Sequence, residues 1–554
     1  MYKKIILICV LFAFMASCTK QQRPKLVVVI VIDQMRPDYL TRFYSDYGDG
    51  GFKKLMSDGF TFWNCNYNYV PTQTGPGHAS IFEGCTPKFH IVTANDIYNS
   101  KTHRTEYCVS DSTYVIVGNE KKSFYTKKDS MQGMSPHKLS ASNVCDELKY
   151  ATNQKSKIIS LSLKDRAAIL PGGHLADYAL WFDQKTGNFV TSSYYLKKLP
   201  VWVENFNKQK RADNIIKENK NQWSMLQNND YYVDCDSTNE VEITPSEIIH
   251  LEQFPHNLLG SKSYSNFYHS PFGNTLLTDL AIETIKNTNI GKNSVPDILA
   301  LSYSATDAVG HYYGPYSIEI KDTYLRLDKD LERLLNTLDE TIGKDNYLIV
   351  LTADHGAPQL PKKQNNAFSG YINTKYLSKL CDEYLNRQLK ISNPQVKWID
   401  TIINEQIYLN QTQISKYNLQ SKTIEHLLAD TLVHQHGILY AFTASQLKEH
   451  EYSSGIGGLV QNGFNPALSG DIMLVLKSGY MCIDYSDNKV VIEHGSGWTY
   501  DTNVPLIFYG KNIPKGESWQ LHYITDIAPT LSMILRIKYP SACMGNPISE
   551  INEK

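Results

Sequence analysis

The residues that could do chemistry here are one threonine and a scatter of aspartates and histidines. Thr74 lies in Val70-Pro71-Thr72-Gln73-Thr74-Gly75-Pro76-Gly77-His78-Ala79-Ser80. Pro71 biases the approach toward an extended chain, whereas Pro76 is tolerated in the first turn of a helix, where its missing N–H is no loss. Thr74 is therefore expected at a helix N-terminus, where unpaired backbone N–H groups and the dipole favour an anion. A hydroxyl there can meet a phosphate or become an alkoxide beside a metal. Taken alone, the stretch is better explained as a capping threonine in a turn. The rest of the chain reverses that balance.

Asp307-x-x-x-His311 and Asp354-His355 each follow an apolar run, Asp33 ends another, and His494 comes late, in Glu493-His494-Gly495-Ser496-Gly497-Trp498. Asp and His suit zinc, and carboxylate-rich sets also suit manganese or magnesium. An isolated Asp–His pair is more often structural. The set has joint value: three carboxylates at one sheet edge repel unless cations hold them, and two metals would serve three aspartates and three histidines.

The elements that must position these residues are buried strands. Lys25 to Ile32 is a continuous β-branched run, the mark of a strand covered on both faces of a parallel sheet. Lys157 to Leu163 runs into Lys164-Asp165-Arg166, Asp297 to Tyr303 into Thr306-Asp307, and Tyr347 to Ala353 into Asp354-His355. Open α/β sheets place ligands at such carboxyl ends. From Tyr324 to Ile342 the apolar residues keep helical spacing, which makes this a crossover helix and the sheet parallel. Val504 to Tyr509 reads as a further strand, and Asp526 to Leu531 opens a helix. The fold expected is α/β, a doubly wound and mostly parallel sheet, with cap insertions near 167–293 and 357–489 at the catalytic edge.

With order and spacing laid out, the chain resembles the alkaline phosphatase superfamily, specifically the PafA-type alkaline phosphatases, with nucleotide pyrophosphatase/phosphodiesterases next. The segments that carry the resemblance are Val31 to Arg36, Pro71 to Ser80, Thr86 to Asp96, Leu163 to His174, Thr306 to His311, Leu351 to Ala357 and His494 to Gly510. The resemblance implies that Asp307, His311 and His494 hold one Zn²⁺. It implies that Asp33, Asp354 and His355 hold a second, with Thr74 bound to it as the nucleophile. It further implies that Asn95, Lys164 and Arg166 contact phosphoryl oxygens, the last two being a feature of the monoesterase branch. The alternative for that pair is a surface salt bridge with Asp165. Metal coordination lowers the pKa of a threonine hydroxyl, and Arg can bind two oxygens of a monoester dianion at once. His78 is taken as a helix residue that helps position the Thr74 loop, and Pro171-Gly172-Gly173-His174 as part of the substrate mouth. Departures from the family pattern are Glu83, Cys85, Ile91 in place of a usual Gly, and Asn99.

Composition bounds the partners. With 55 basic and 56 acidic residues the net charge is −1, which gives no general pull on nucleic acid or membrane. Lys3-Lys4 precede the apolar run Ile5 to Met15, too short to span a bilayer comfortably, and Met15-Ala16-Ser17-Cys18 resembles a bacterial lipobox. Residues 1–18 are thus expected to be an export signal, with Cys18 lipidated and 19–24 a tether to a periplasmic catalytic domain, 25–554. Ordinary signal cleavage is the alternative. Apart from Cys9 and Cys18, eight cysteines show no C-x-x-C pair, so zinc-ribbon and thioredoxin motifs are unsupported.

The function expected is a broad-specificity two-zinc phosphate monoester hydrolase acting through phosphothreonine, a monomer taking small phosphate monoesters. One alternative is a type I phosphodiesterase with the same metals. A second is a dead binding lipoprotein, which would have lost a ligand or Thr74, and none is missing. Cys85-Thr86-Pro87-Lys88-Phe89 nearly matches the sulfatase signature, but Phe89 stands where arginine is required.

Overall fold

The computed structural model describes residues 22–551 apart from 119–132, 237–239, 245–246, 261–262, 361–368 and 484–491. The expected export signal and Cys18 lie outside these residues.

Eight strands form the body of an eleven-stranded sheet: β1 (Leu26–Ile32), β2 (Phe60–Asn66), β3 (Ile158–Ser162), β4 (Tyr178–Asp183), β5 (Asn188–Ser192), β6 (Asp297–Tyr303), β7 (Tyr347–Thr352) and β8 (Asn503–Gly510). Their spatial order is β2-β8-β7-β1-β6-β3-β4-β5. From β7 to β4 every pairing is parallel, while β8 and β5 run antiparallel to their inner neighbours. Every residue of β1, β6 and β7 is buried, which is why their sequences are unbroken apolar runs rather than alternating ones.

Register makes the strands end level. Ile32 lies opposite Tyr303 and Val31 opposite Thr352, so the residues just beyond them, Asp33, Asp307 and Asp354, come to one edge. A slip by one residue would turn every buried side chain of β1 to the other face, so packing fixes where the carboxylates sit.

Helix α1 (Thr74–Glu83) follows β2, α2 (Asp165–Gly172) follows β3, α3 (Phe272–Thr288) precedes β6, and α4 (Ala305–Tyr313) follows it. The crossover helix α5 (Ile318–Thr341) begins six residues before its apolar periodicity does, because Ser317 caps it by accepting from the Ile320 N–H. The helix also buries carboxylates on partners from distant parts of the chain. Asp322 accepts from Trp223 Nε1 at 2.7 Å, and Asp328 accepts from the backbone of Gly48 and Phe52, both at 2.7 Å.

The two segments expected as insertions behave differently. Within 357–489 a separate four-stranded sheet forms, in the order Ile399–Ile403, Gln406–Leu409, Ile472–Leu476, Ile438–Thr443, with its own core around Trp398, Ile407, Leu428 and Leu432. Within 167–293, by contrast, β4 and β5 extend the main sheet and α3 packs on its core through Leu276, Leu277, Leu280 and Ile285. Polar loops between these elements hid a continuation of the sheet from its composition.

The described cysteines are all free thiols, and burial pushes the thiols of Cys65, Cys85 and Cys145 up.

Ile91 adopts φ 62°, a left-handed backbone that a β-branched residue rarely takes. A glycine, which the resemblance implies at this position, would suit the turn that ends Pro87–His90, because that turn needs positive φ. Ile91→Asn, which tolerates this backbone, is expected to raise stability by about 1 kcal/mol. A thermal midpoint unchanged or lowered would show the strain to be compensated by Ile91 packing.

Candidate active site and metal centre

The N-terminus of α1 brings Thr74 under the sheet edge. Its cap residue, Gln73, is extended and makes no side-chain cap bond, so the helix begins at the threonine itself. Gly77 is required by a close approach: a Cβ there would lie 2.4 Å from the Asp354 carbonyl oxygen. The lack of a side chain lets the first turn of α1 sit directly on the end of β7.

Two groups of three ligand-type residues converge beside Thr74. One is Asp307, His311 and His494, and the other is Asp33, Asp354 and His355, with the ligating atoms of each group within 4.8 Å of one another. The six aspartates and histidines among the seven expected metal ligands are thus brought together, beside the seventh, Thr74. Asp307 and His311 lie one turn apart on α4, and Asp33 and Asp354 follow β1 and β7.

The donor chemistry fits cations. His311 Nδ1 faces the Ile492 carbonyl at 2.5 Å, His494 Nδ1 that of Thr72 at 2.7 Å, and His355 Nδ1 that of Gly356 at 3.0 Å. A carbonyl only accepts, so each proton is fixed on Nδ1 and each Nε2 is left to the centre, the orientation metal-ligating histidines take. His311 Nε2 lies 3.2 Å and His494 Nε2 3.7 Å from Asp307 Oδ1. His355 Nε2 lies 3.5 Å from Asp33 Oδ1 and 3.7 Å from Asp354 Oδ2. These last three atoms are buried and have no hydrogen-bond partner, an arrangement that protein groups alone leave costly.

Electrostatics agree. Burial, reinforced by Asp307 and Asp354, pushes the Asp33 carboxyl up to about 7, and burial pushes Asp354 up to about 6. Burial acts on Asp307 too, but His311 and Lys164 outweigh it and hold its carboxyl well below the usual range. Burial disfavours charge on His311, yet Asp307 outweighs it and raises the imidazole to about 9. Burial lowers His355 to about 4 and holds His494 well below its ordinary value, so both are neutral. A lone pair that draws a proton draws a metal ion equally.

Lys164 and Arg166 meet at the threonine. Lys164 Nζ lies 2.6 Å from Asp33 Oδ2, 2.6 Å from Asp307 Oδ2 and 3.4 Å from Thr74 Oγ1. Burial opposes its charge, but Asp307 and Asp33 outweigh burial and keep it an ammonium. Arg166 Nη2 is also 3.4 Å from Thr74 Oγ1. Its Nη1 donates to Tyr107 OH at 3.0 Å, and that hydroxyl donates to Asp165. The simple surface pair with Asp165 is therefore not what forms: the guanidinium is half-buried and reaches Thr74, with Asp165 reached through Tyr107. Asn95 Oδ1 accepts from the Gly75 N–H at 2.7 Å, which leaves its Nδ2 as the side chain's donor.

His78 is not in either group. Its Nδ1 donates to Thr74 O at 2.8 Å and its Nε2 accepts from Ser302 Oγ at 2.8 Å, so it ties the Thr74 turn to the end of β6 as expected. Pro171-Gly172-Gly173-His174 does not form the substrate mouth. Pro171 and Gly172 are buried at the end of α2, and His174 faces Asp146 at 3.0 Å, anchoring that helix away from Thr74.

Sequence reasoning missed Gln34 and Tyr107. Gln34 gives its backbone N–H to Asp354 Oδ1 and its Nε2 to Asp307 Oδ1, so one residue restrains a carboxylate of each group. The signal for it was Gly310: a Cβ there would lie 1.8 Å from Gln34 Oε1.

Comparison with known proteins places this geometry. The family profile described as type I phosphodiesterase / nucleotide pyrophosphatase matches residues 27–501. Alkaline phosphatase PafA of Elizabethkingia meningoseptica is 37% identical over 545 residues, 96% of this chain and 94% of that protein. Alkaline phosphatase PhoV of Synechococcus elongatus is 37% identical over 572 residues, 99% of this chain and 100% of that protein. The crystal structure of wild-type alkaline phosphatase PafA superposes with a TM-score of 0.85 at 36% identity, covering 96% of this chain and 99% of that one. Identity of this extent makes this chain a member of the type I phosphodiesterase / nucleotide pyrophosphatase family, within its PafA/PhoV alkaline phosphatase branch.

Proposed function

We propose that this chain is a phosphate monoester hydrolase of the alkaline phosphatase type, holding two Zn²⁺ and acting through a phosphothreonine at Thr74. One observation carries the reading: Thr74 Oγ1 lies 3.4 Å from both the Lys164 ammonium and the Arg166 guanidinium, at the start of a helix and beside two triads of metal-ligand type. The alkaline phosphatases to which the chain is similar over nearly its whole length support it.

Asp307, His311 and His494 would hold one ion, and Asp33, Asp354 and His355 the other. Two divalent ions at such a site lower the pKa of the attacking hydroxyl and stabilise the leaving oxygen. The remaining work falls to the chain. The Thr74 hydroxyl gives up its proton to solvent and its oxygen attacks phosphorus, the bond to the leaving oxygen breaks, that oxygen takes up a proton from solvent to depart as the alcohol, and the phosphoryl group is left on Oγ1. Water then attacks the same phosphorus, the P–Oγ1 bond breaks, one water proton passes to Oγ1, and inorganic phosphate leaves. Lys164, Arg166 and Asn95 Nδ2 donate to the non-bridging oxygens throughout, with Arg166 held in place by Tyr107.

The Lys3-Lys4, Ile5–Met15 and Cys18 pattern supports export to the periplasm and a lipid anchor. A monomer taking small phosphate monoesters completes the reading.

Thr74→Ala is expected to abolish phosphothreonine in acid-quenched protein and to lower turnover of an aryl phosphate by about 10³-fold or more, with bound metal retained. Metal analysis alongside the assay checks this, and near-normal turnover sinks the assignment.

Arg166→Ala is expected to lower kcat/KM for an aryl monoester by about 10²-fold while costing the matched diester far less. An equal loss on both substrates would remove the charge-recognition role. A parent enzyme that favours the diester would move the protein to the phosphodiesterase side of the family.

A further inference from the structure

We propose that Asn404, at the tip of a hairpin in the cap, is a positioning residue for the phosphoryl site, acting through Gln73 on Asn95. The inference rests on the reading of Asn95 as a phosphoryl-oxygen donor.

Strands Ile399–Ile403 and Gln406–Leu409 are joined by two residues, Asn404 and Glu405, with φ 53° and 55°. Two consecutive positive φ angles define the tight turn that matches strand twist, and asparagine is among the few residues that accept its first position. The turn projects the Asn404 amide out of the cap onto the loop ahead of α1. Gln73 Nε2 donates to Asn404 Oδ1 at 3.0 Å, and Asn404 Nδ2 donates to the Asp96 carbonyl at 2.7 Å. Gln73 Oε1 in turn accepts from the Asn95 N–H at 2.9 Å.

The direction of this relay is set by chemistry. The Asn95 N–H can only donate, so the atom facing it on Gln73 is the oxygen. The Gln73 NH₂ group therefore faces Asn404, which must offer its oxygen. The Asn404 NH₂ group is then left for the Asp96 carbonyl, which can only accept. Every amide is matched, and the ring closes around residues 95 and 96. On the other side of Asn95, Oδ1 takes the Gly75 N–H. The asparagine is thus held at its backbone by the cap relay and at its side chain by the first turn of the nucleophile helix.

The same cap strand makes a second tie. Asp400 Oδ2 accepts from Tyr98 OH at 3.2 Å and lies 3.0 Å from His103 Nδ1. Both residues belong to the β-hairpin Asp96–Asn99/Arg104–Tyr107, which ends in Tyr107, the partner of Arg166. Two of the three groups assigned to phosphoryl recognition therefore lean on a loop that the cap clamps. A cap that only narrowed access would need no contact with this loop.

The test uses Asn404→Gly, which keeps the positive φ and removes the amide, and Asn404→Asp, which keeps the acceptor for Gln73 and removes the donor to Asp96. Each is measured in the full chain with metal, alone and combined with Asn95→Ala, for kcat and KM on an aryl phosphate and for inhibition by inorganic phosphate. The expected result for Asn404→Gly is a fall in kcat/KM of about 5- to 20-fold and weaker phosphate inhibition, with an unchanged thermal midpoint. Asn404→Asp should fall between it and the parent. In the Asn95→Ala background, Asn404→Gly should have almost no further effect, since residues that act as a unit are not additive. Losses that multiply would show that Asn404 acts independently of Asn95 and would overturn the relay, as would unchanged kinetics in Asn404→Gly. Near-normal activity in Asn95→Ala would instead remove the reading of Asn95 beneath it.

Discussion

Three carboxylates with nowhere to go set the terms for this structure. Asp33, Asp307 and Asp354 follow strands whose register is locked by apolar side chains buried on both faces, so repulsion cannot be relieved by letting one strand slide. Buried unit charges a few ångströms apart interact by several kcal/mol at an effective dielectric near 20, more than an ordinary hydrogen bond contributes. Positive charge must come to them. Lys164 supplies part, bridging Asp33 and Asp307, and three imidazoles with their Nε2 atoms turned inward supply places for more. The fold and the metal centre are in this sense one problem: packing energy forces the carboxylates together, and cations make that tolerable.

The same logic decides what could be read from sequence. β1, β6 and β7 were legible because full burial leaves an unbroken apolar run, and the polar residue that ends each run stands out. Thr74, Asp307, His311 and Asp354-His355 announce themselves by chemistry that is rare in such spacing. Gln34, Tyr107 and Asn404 do not, because an amide or phenol at a turn fits countless bland roles. Their meaning lies in partners far off in sequence: Tyr107 and Arg166 are separated by 59 positions, and Gln73 and Asn404 by 331. The 167–293 segment misled for a related reason, since its polar loops outweigh the short strands β4 and β5 that complete the sheet. Pro171 to His174 looked like an active-site loop because it follows Arg166 closely, yet a helix of eight residues carries it away from the edge.

The site has two halves built to different standards of rigidity. Five of the six ligand-type residues hang directly from strand ends or from α4, and only His494 comes from a loop, the one ahead of β8. The phosphoryl half is assembled from loops: the Asn95 segment, the hairpin bearing Tyr107, and the N-terminus of α2. Loops hold position less well than strands, so this half is where additional restraint is most useful. The Tyr107–Asp165–Arg166 network and the contacts from the cap provide it.

Placing Lys164 and Arg166 at the N-terminus of α2 has a cost, because the helix dipole there disfavours cations. What holds them is the surrounding negative charge, and that charge also bears on substrate. In the proposed two-metal site, three carboxylates and a Thr74 alkoxide stand against two divalent ions, the Lys164 ammonium and the Arg166 guanidinium. Among these groups at Thr74, with Asp165 set further out behind Tyr107, two positive charges remain uncompensated, the charge of a phosphate monoester dianion. A diester, with a single negative charge, would leave the buried centre one charge short, and in a medium of low polarity that shortfall is expensive. Without Lys164 and Arg166 the remaining groups would sum to zero and give a monoester no electrostatic advantage. In the proposed site, a preference for monoesters would thus follow from two side chains that bind no metal, set against carboxylates that the sheet cannot move.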